Sequence, residues 1–90
     1  MIQIQTVTLD TKTEKQTIKL KGLQSVIGIQ KVANNVMAIV VVNTSADLAR
    51  SAPLYLIETG ADAMSLLLKP KYIGSAGKYH LCVGELKPKR

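Results

Sequence analysis

The residues of this chain best suited to nucleophilic chemistry are His80 and Cys82, a base and a thiol two positions apart. On a strand, positions i and i+2 share a face but lie roughly 6.5 to 7 Å apart with parallel side chains. A thiol activated by a base needs a direct hydrogen bond, so this spacing gives no catalytic pair without a bend in the backbone. The pair reads as a small buried thiol beside a half-exposed histidine. Two ligands also fall short of the three or four that a zinc site requires. The six acidic residues show no pair at a spacing used for general acid–base work. The expectation is therefore no catalytic residue, no metal, no cofactor and no small-molecule substrate.

Gly74-Ser-Ala-Gly77-Lys78 touches two phosphate-binding patterns. A P-loop needs four residues between its glycines, a Ser or Thr after the Lys, and a following helix. Here two residues intervene, Tyr79 follows, and the next segment alternates as a strand. The Gly-x-x-Gly pattern also fits the backbone clamp of a KH domain, but Pro70 interrupts the helix that should lead into it. A glycine-bearing hairpin turn is the simpler reading. Lys69, Lys71 and Lys78 interleave with Tyr72 and Tyr79, the arrangement of a groove that tracks phosphates and stacks bases. Together with Tyr55 these make only three aromatic residues. A single-stranded nucleic-acid-binding module of OB-like shape is accordingly the alternative function.

The elements that must position these residues are dominated by one feature. Val36-Met-Ala-Ile-Val-Val-Val42 is apolar throughout, and a strand apolar on both faces needs cover on both. Ninety residues make one domain with one small core, and Val, Ile and Leu supply 27 of them, with no Phe or Trp. A core of branched aliphatic residues suits a pleated sheet. One cysteine allows no internal disulfide. The second apolar face thus points to a sandwich core or to a neighbouring subunit, with Met37, Ile39 and Val41 as the interface residues in the latter case.

Turn signals divide the chain into short strands. Ile2 and Ile4 share a parity opposite to that of Val7 and Leu9, which predicts a bulge or bend near Gln5-Thr6. The polar turn Asp10 to Glu14 leads into Gln16 to Lys21, whose alternation predicts a first hairpin. Asn34-Asn35 predicts a second, with Ala33 opposite Val36, Lys31 opposite Ala38 and Ile27 opposite Val42. Ser45 can cap a short helical turn over residues 46–52, ended by Pro53. Leu54 to Ile57 reads as a strand, Thr59-Gly60 as a turn, and residues 61–68 as either strand or helix. Ser75 to Gly77 turns the chain into a last strand over Lys78 to Leu86. The expected fold is all-β, a small antiparallel sandwich or barrel of six to seven strands with at most one or two helical turns. Residues 1–86 form the domain and 87–90 a mobile basic tail.

Net charge is +6 and unevenly placed. Residues 1–31 hold five Lys against Asp10 and Glu14, and residues 69–90 hold six basic residues against Glu85, while the middle holds Arg50 against Asp47, Glu58 and Asp62. If the basic ends meet they make a patch for phosphate or an acidic protein. Otherwise they solubilise the outer faces of strands. As given, the chain has no secretory signal and no apolar run near the ~20 residues of a membrane helix, so the expected setting is the cytoplasm or a virion assembled there. The leading expectation is a non-enzymatic structural subunit that oligomerises or decorates a larger assembly, a virion or capsid surface above all. Addition of a strand to a partner sheet shares the same physics.

Overall fold

The computed structural model describes residues 1–63 and 69–85, together with the backbone of residues 87 and 88. Its elements are β1 (Ile2–Leu9), β2 (Lys15–Lys21), β3 (Leu23–Val32), β4 (Asn35–Asn43), β5 (Ala49–Glu58), β6 (Lys71–Ala76), β7 (Tyr79–Val83) and β8 (Lys87–Pro88). All pairings are antiparallel. One sheet has the order β1-β4-β3, and the other β2-β5-β7-β6 with β8 also pairing β5. The fold is all-β, and among the described residues there is no helix. The shortest axis of the molecule is 18 Å, the thickness expected of two sheets stacked about 10 Å apart.

The expected run Val36 to Val42 is β4, the central strand of the three-stranded sheet. Val36, Ala38, Val40 and Val42 point inward and are buried. They meet Leu54, Leu56, Leu81 and Val83 of the other sheet, with Leu9, Ile18, Leu23 and Val26 closing the core. Each such Val, Leu or Ile side chain contributes roughly 1.5 to 3 kcal/mol by leaving water.

Several local expectations are corrected. β1 and β2 do not form a hairpin: β1 pairs β4 and β2 pairs β5, so the Asp10 to Glu14 turn carries the chain from one sheet to the other. That turn is well tied, since Asp10 accepts from the Lys12 amide and the Thr13 hydroxyl, and the Gln16 side chain both donates to the Asp10 carbonyl and accepts from its amide. The bulge near Gln5-Thr6 is absent, because the register with β4 runs unbroken from Ile2 to Leu9. Ile2 and Ile4 simply face outward. Residues 49–52 extend β5 instead of forming a helical turn, and burial of Ala52 in the core outweighs the capping signal at Ser45.

Pro53 therefore lies inside a strand rather than ending a helix. It sits where β5 exchanges one neighbour for another: Ser51 pairs Lys87 of β8, and Leu54 pairs Val83 of β7. The missing N–H falls in that gap, and the Pro53 carbonyl accepts from Gly84. Residues 87 and 88, expected to begin a free tail, pair with Ser51 and Arg50. The final strand is correspondingly shorter than expected, with Lys78 in the turn. The choice between strand and helix at 61–68 falls largely outside the described residues.

The β3–β4 hairpin exists, but its turn is Ala33-Asn34, with φ of +53° at Ala33. The shift puts Lys31 opposite Val36 instead of Ala38. Lys31 thereby moves toward the open end of the sheet, where its stem runs past Gly77 and its ammonium stays wet. This outweighs the roughly 1 to 2 kcal/mol that a left-handed alanine costs. Two irregularities follow, between Val26 and Gly28 and between Leu23 and Ser25. They turn Val26 into the core and leave Ile27, expected on the core face, half exposed.

Gly22 is the corner between β2 and β3. Its φ is +77°, its amide donates to Leu48 and its carbonyl accepts from Asn43. A Cβ built there would overlap the Asn43 carbonyl oxygen.

Candidate functional site

Strand alternation gives the β1-β4-β3 sheet an outer face as well as an inner one. Across it the register aligns Ile2 with Asn43, Ile4 with Val41 and Ser25, Thr6 with Ile39 and Gly28, Thr8 with Met37 and Gln30, and Asn35 with Val32. None of these outward positions is charged. Met37, Ile39 and Val41 lie along its middle, each half-buried by its strand neighbours, and Ile4 is 69% exposed. The sequence places these three on one face but does not add Ile2 and Ile4 to it. Their parity opposite to Leu9 is the signal for the outward face, and the expectation of a bulge or bend conceals it.

The outer face of the other sheet is different. Tyr55, Ile57 and Cys82 point outward there yet are buried, with Ala63 of the chain that follows β5 packed on them. Lys15, Lys19 and Lys21 of β2 are exposed beside them, and the Lys15 ammonium lies 6.0 Å from the Tyr55 ring centre. An open cleft of about 570 Å³ lies between Lys15, Tyr55, Lys69, Pro70 and Glu85.

The five residues grouped for nucleic-acid or acidic-partner contact are distributed over the β6–β7 hairpin and its lead-in. Lys71 is paired with Val83 at one end and Lys78 occupies the turn at the other, about 17 Å away by strand rise. Lys69 lines the cleft. Tyr79 packs on the core between the sheets, whereas Tyr72 is aligned with outward-facing Cys82. The two tyrosines thus occupy opposite faces of the hairpin. Lys78 is held by Glu58 at 3.0 Å, and that hydrogen bond, then the charge, raises its pKa above the ordinary lysine value.

His80 and Cys82 also have separate surroundings. Thr59 donates its hydroxyl to the Lys78 carbonyl at 3.2 Å and lies 2.7 Å from His80 Nε2. With the Thr59 proton so placed, Nε2–H is the donor to Thr59 and Nδ1 accepts from the Tyr72 hydroxyl at 2.9 Å. The imidazole is a brace between the turn after β5 and strand β6. Cys82 is 2% exposed, and burial pushes its thiol pKa up, which disfavours the thiolate that nucleophilic chemistry needs. Among the described residues no cluster of three or more His, Cys, Asp or Glu could hold a metal ion. No described helix is long and apolar enough to cross a membrane.

No family model, no curated protein and no solved structure matches this chain. The fold and its surfaces carry the functional argument alone.

Proposed function

We propose that this protein is a non-enzymatic structural subunit, and that its copies associate through the β1-β4-β3 sheet. The observation that carries the reading is the outer face of that sheet: five aligned rows with no charged position, in a chain of net charge +6. Copies of a basic chain repel one another over most of their surface. Apposed copies of this face meet without like-charge contact and remove Ile2, Ile4, Ile39 and Val41 from water. A small coat or decoration subunit of a larger particle, such as a virion surface, is the setting that such a face suits.

Light scattering at micromolar concentration is expected to give a mass well above the 9.7 kDa of one chain. Val41→Asp should return it to the monomer mass. A wild-type chain that stays monomeric up to millimolar concentration overturns the proposal.

A further inference from the structure

Among the described residues the two sheets have four edge strands longer than two residues, β1, β3, β2 and β6, beside the two-residue β8, which pairs only β5. A sheet edge presents backbone N–H and C=O groups to any chain that can pair with them, and soluble proteins guard it with lysine, proline, bulges or cover. Three of the four edges are guarded. β2 carries Lys15, Lys19 and Lys21. β3 has two irregularities and Lys31, and it lies alongside β6, whose Gly74 approaches the Ile29 methyl. β6 begins with Lys71 and has its own irregularity between Tyr72 and Gly74. β1 has none of these devices. Its sequence, Ile-Gln-Ile-Gln-Thr-Val-Thr-Leu, contains no charge, proline or glycine, and its eight residues run in unbroken register.

The groups on that edge can be assigned. The Met1 carbonyl accepts from the Thr44 amide, so Met1 directs its backbone groups toward β4. In an antiparallel ladder the direction alternates along the strand. Gln3, Gln5, Val7 and Leu9 therefore bond to β4, and Ile2, Ile4, Thr6 and Thr8 turn their N–H and C=O groups away from it. From Ile2 to Gln5 the side chains on both faces of the strand are exposed as well.

We infer that β1 pairs antiparallel with β1 of a second copy about a two-fold axis, joining two three-stranded sheets into one of six strands. This rests on the self-association proposed above and adds an edge contact to the contact between faces. An uncharged edge is compatible with its own copy, and an isologous pairing closes after two chains. With Ile4 opposite Thr6 and Ile2 opposite Thr8 of the second copy all four outward-turned positions pair, and the two outer faces merge into one uncharged surface.

Amide hydrogen exchange on the associated wild-type protein tests the pairing directly. The amides of Ile2, Ile4, Thr6 and Thr8 should exchange at least tenfold more slowly than in a diluted, monomeric sample. Thr6→Pro removes an N–H that points away from β4, so it should leave the fold intact and weaken association at least tenfold. Gln5→Pro removes a β4 bond and should lower the melting temperature. An associated protein whose Ile2, Ile4, Thr6 and Thr8 amides exchange as fast as in the monomer overturns the edge pairing while self-association stands. A wild-type chain that is monomeric throughout overturns both. If Thr6→Pro does not fold, the wild-type exchange pattern still decides.

Discussion

The two outer faces of this sandwich are built from the same kinds of strand and are finished in opposite ways. On the β2-β5-β7-β6 sheet the outward residues Tyr55, Ile57 and Cys82 are buried, with Ala63 packed on them, and lysines of β2 keep the remainder wet. On the β1-β4-β3 sheet the outward residues are uncharged, with Ile2, Ile4, Met37, Ile39 and Val41 among them, and no described segment crosses them. An antiparallel sheet tolerates one wet face when that face is polar. The first face meets the requirement within one chain; on the proposed reading the second meets it with a copy of the chain laid against it.

The sharpest way to break this comparison uses two adjacent residues of β4. Val40 is fully buried and Val41 half exposed on the opposite face. Val40→Asp should unfold the domain, because an unpartnered buried carboxylate costs several kcal/mol against a total stability of roughly 5 to 15. Val41→Asp should keep its native circular dichroism and lose only the associated mass. A Val41→Asp chain that unfolds would mean that the outer face is needed within the monomer.

A second pair compares the faces with each other. Tyr55→Ala empties a sealed position and should cost about 3 to 5 kcal/mol in urea unfolding. Ile39→Ala should cost about 1 kcal/mol or less in the monomer while weakening association. Equal costs at the two sites would remove the distinction between them.

How far these faces could be read from sequence depended on how local the deciding physics was. The apolar run of β4 is a property of seven consecutive residues, and its burial, its centrality and its two differing faces follow from alternation alone. Whether two neighbouring strands pair is not local. The loop from Asp10 to Glu14 looks the same whether it joins paired strands or crosses between sheets, and only the partnership of Leu9 and Ile18 in one core settles it. Ala46 to Ala52 has helical capping and small residues, yet its fate was decided by partners on β2, residues far earlier in the chain. The β3–β4 turn slid by one residue because of where Lys31 would otherwise lie. For the site, Met37, Ile39 and Val41 were legible and Ile2 and Ile4 were not, since an outward isoleucine is expected only once the face is known to be apolar.

Two smaller effects sharpen the picture. Cys82 should react slowly with a thiol reagent in the native protein and quickly after denaturation, since the sealed face excludes the reagent. Burial raises the folded thiol's pKa above its ordinary 9.0, so the folded state holds the proton longer. Stability from this group is complete below that value and falls as pH rises through it; Cys82→Ala should abolish the difference in a melting series from pH 8 to 11. The smallest effect belongs to the turn between the sheets. The Lys12 amide and then the Thr13 hydroxyl hold the Asp10 carboxyl below its ordinary 3.8. Its contribution is present above that value and fades as pH falls through the lower folded value. Asp10→Asn should remove a shallow slope from the melting temperature between pH 2 and 5.

Gly22 joins the end of β4 to the start of β5 through its carbonyl and its amide, and so ties together parts of the chain that are distant in sequence. The bond from Asn43 continues the β3–β4 hairpin, whereas the bond to Leu48 forms only once the entry to β5 has also arrived. Much of the loop-closure entropy is spent before the corner is complete. Folding should therefore be slow for a ninety-residue chain and all-or-none, and a fragment ending before β5 should remain an ensemble without a stable half-sandwich.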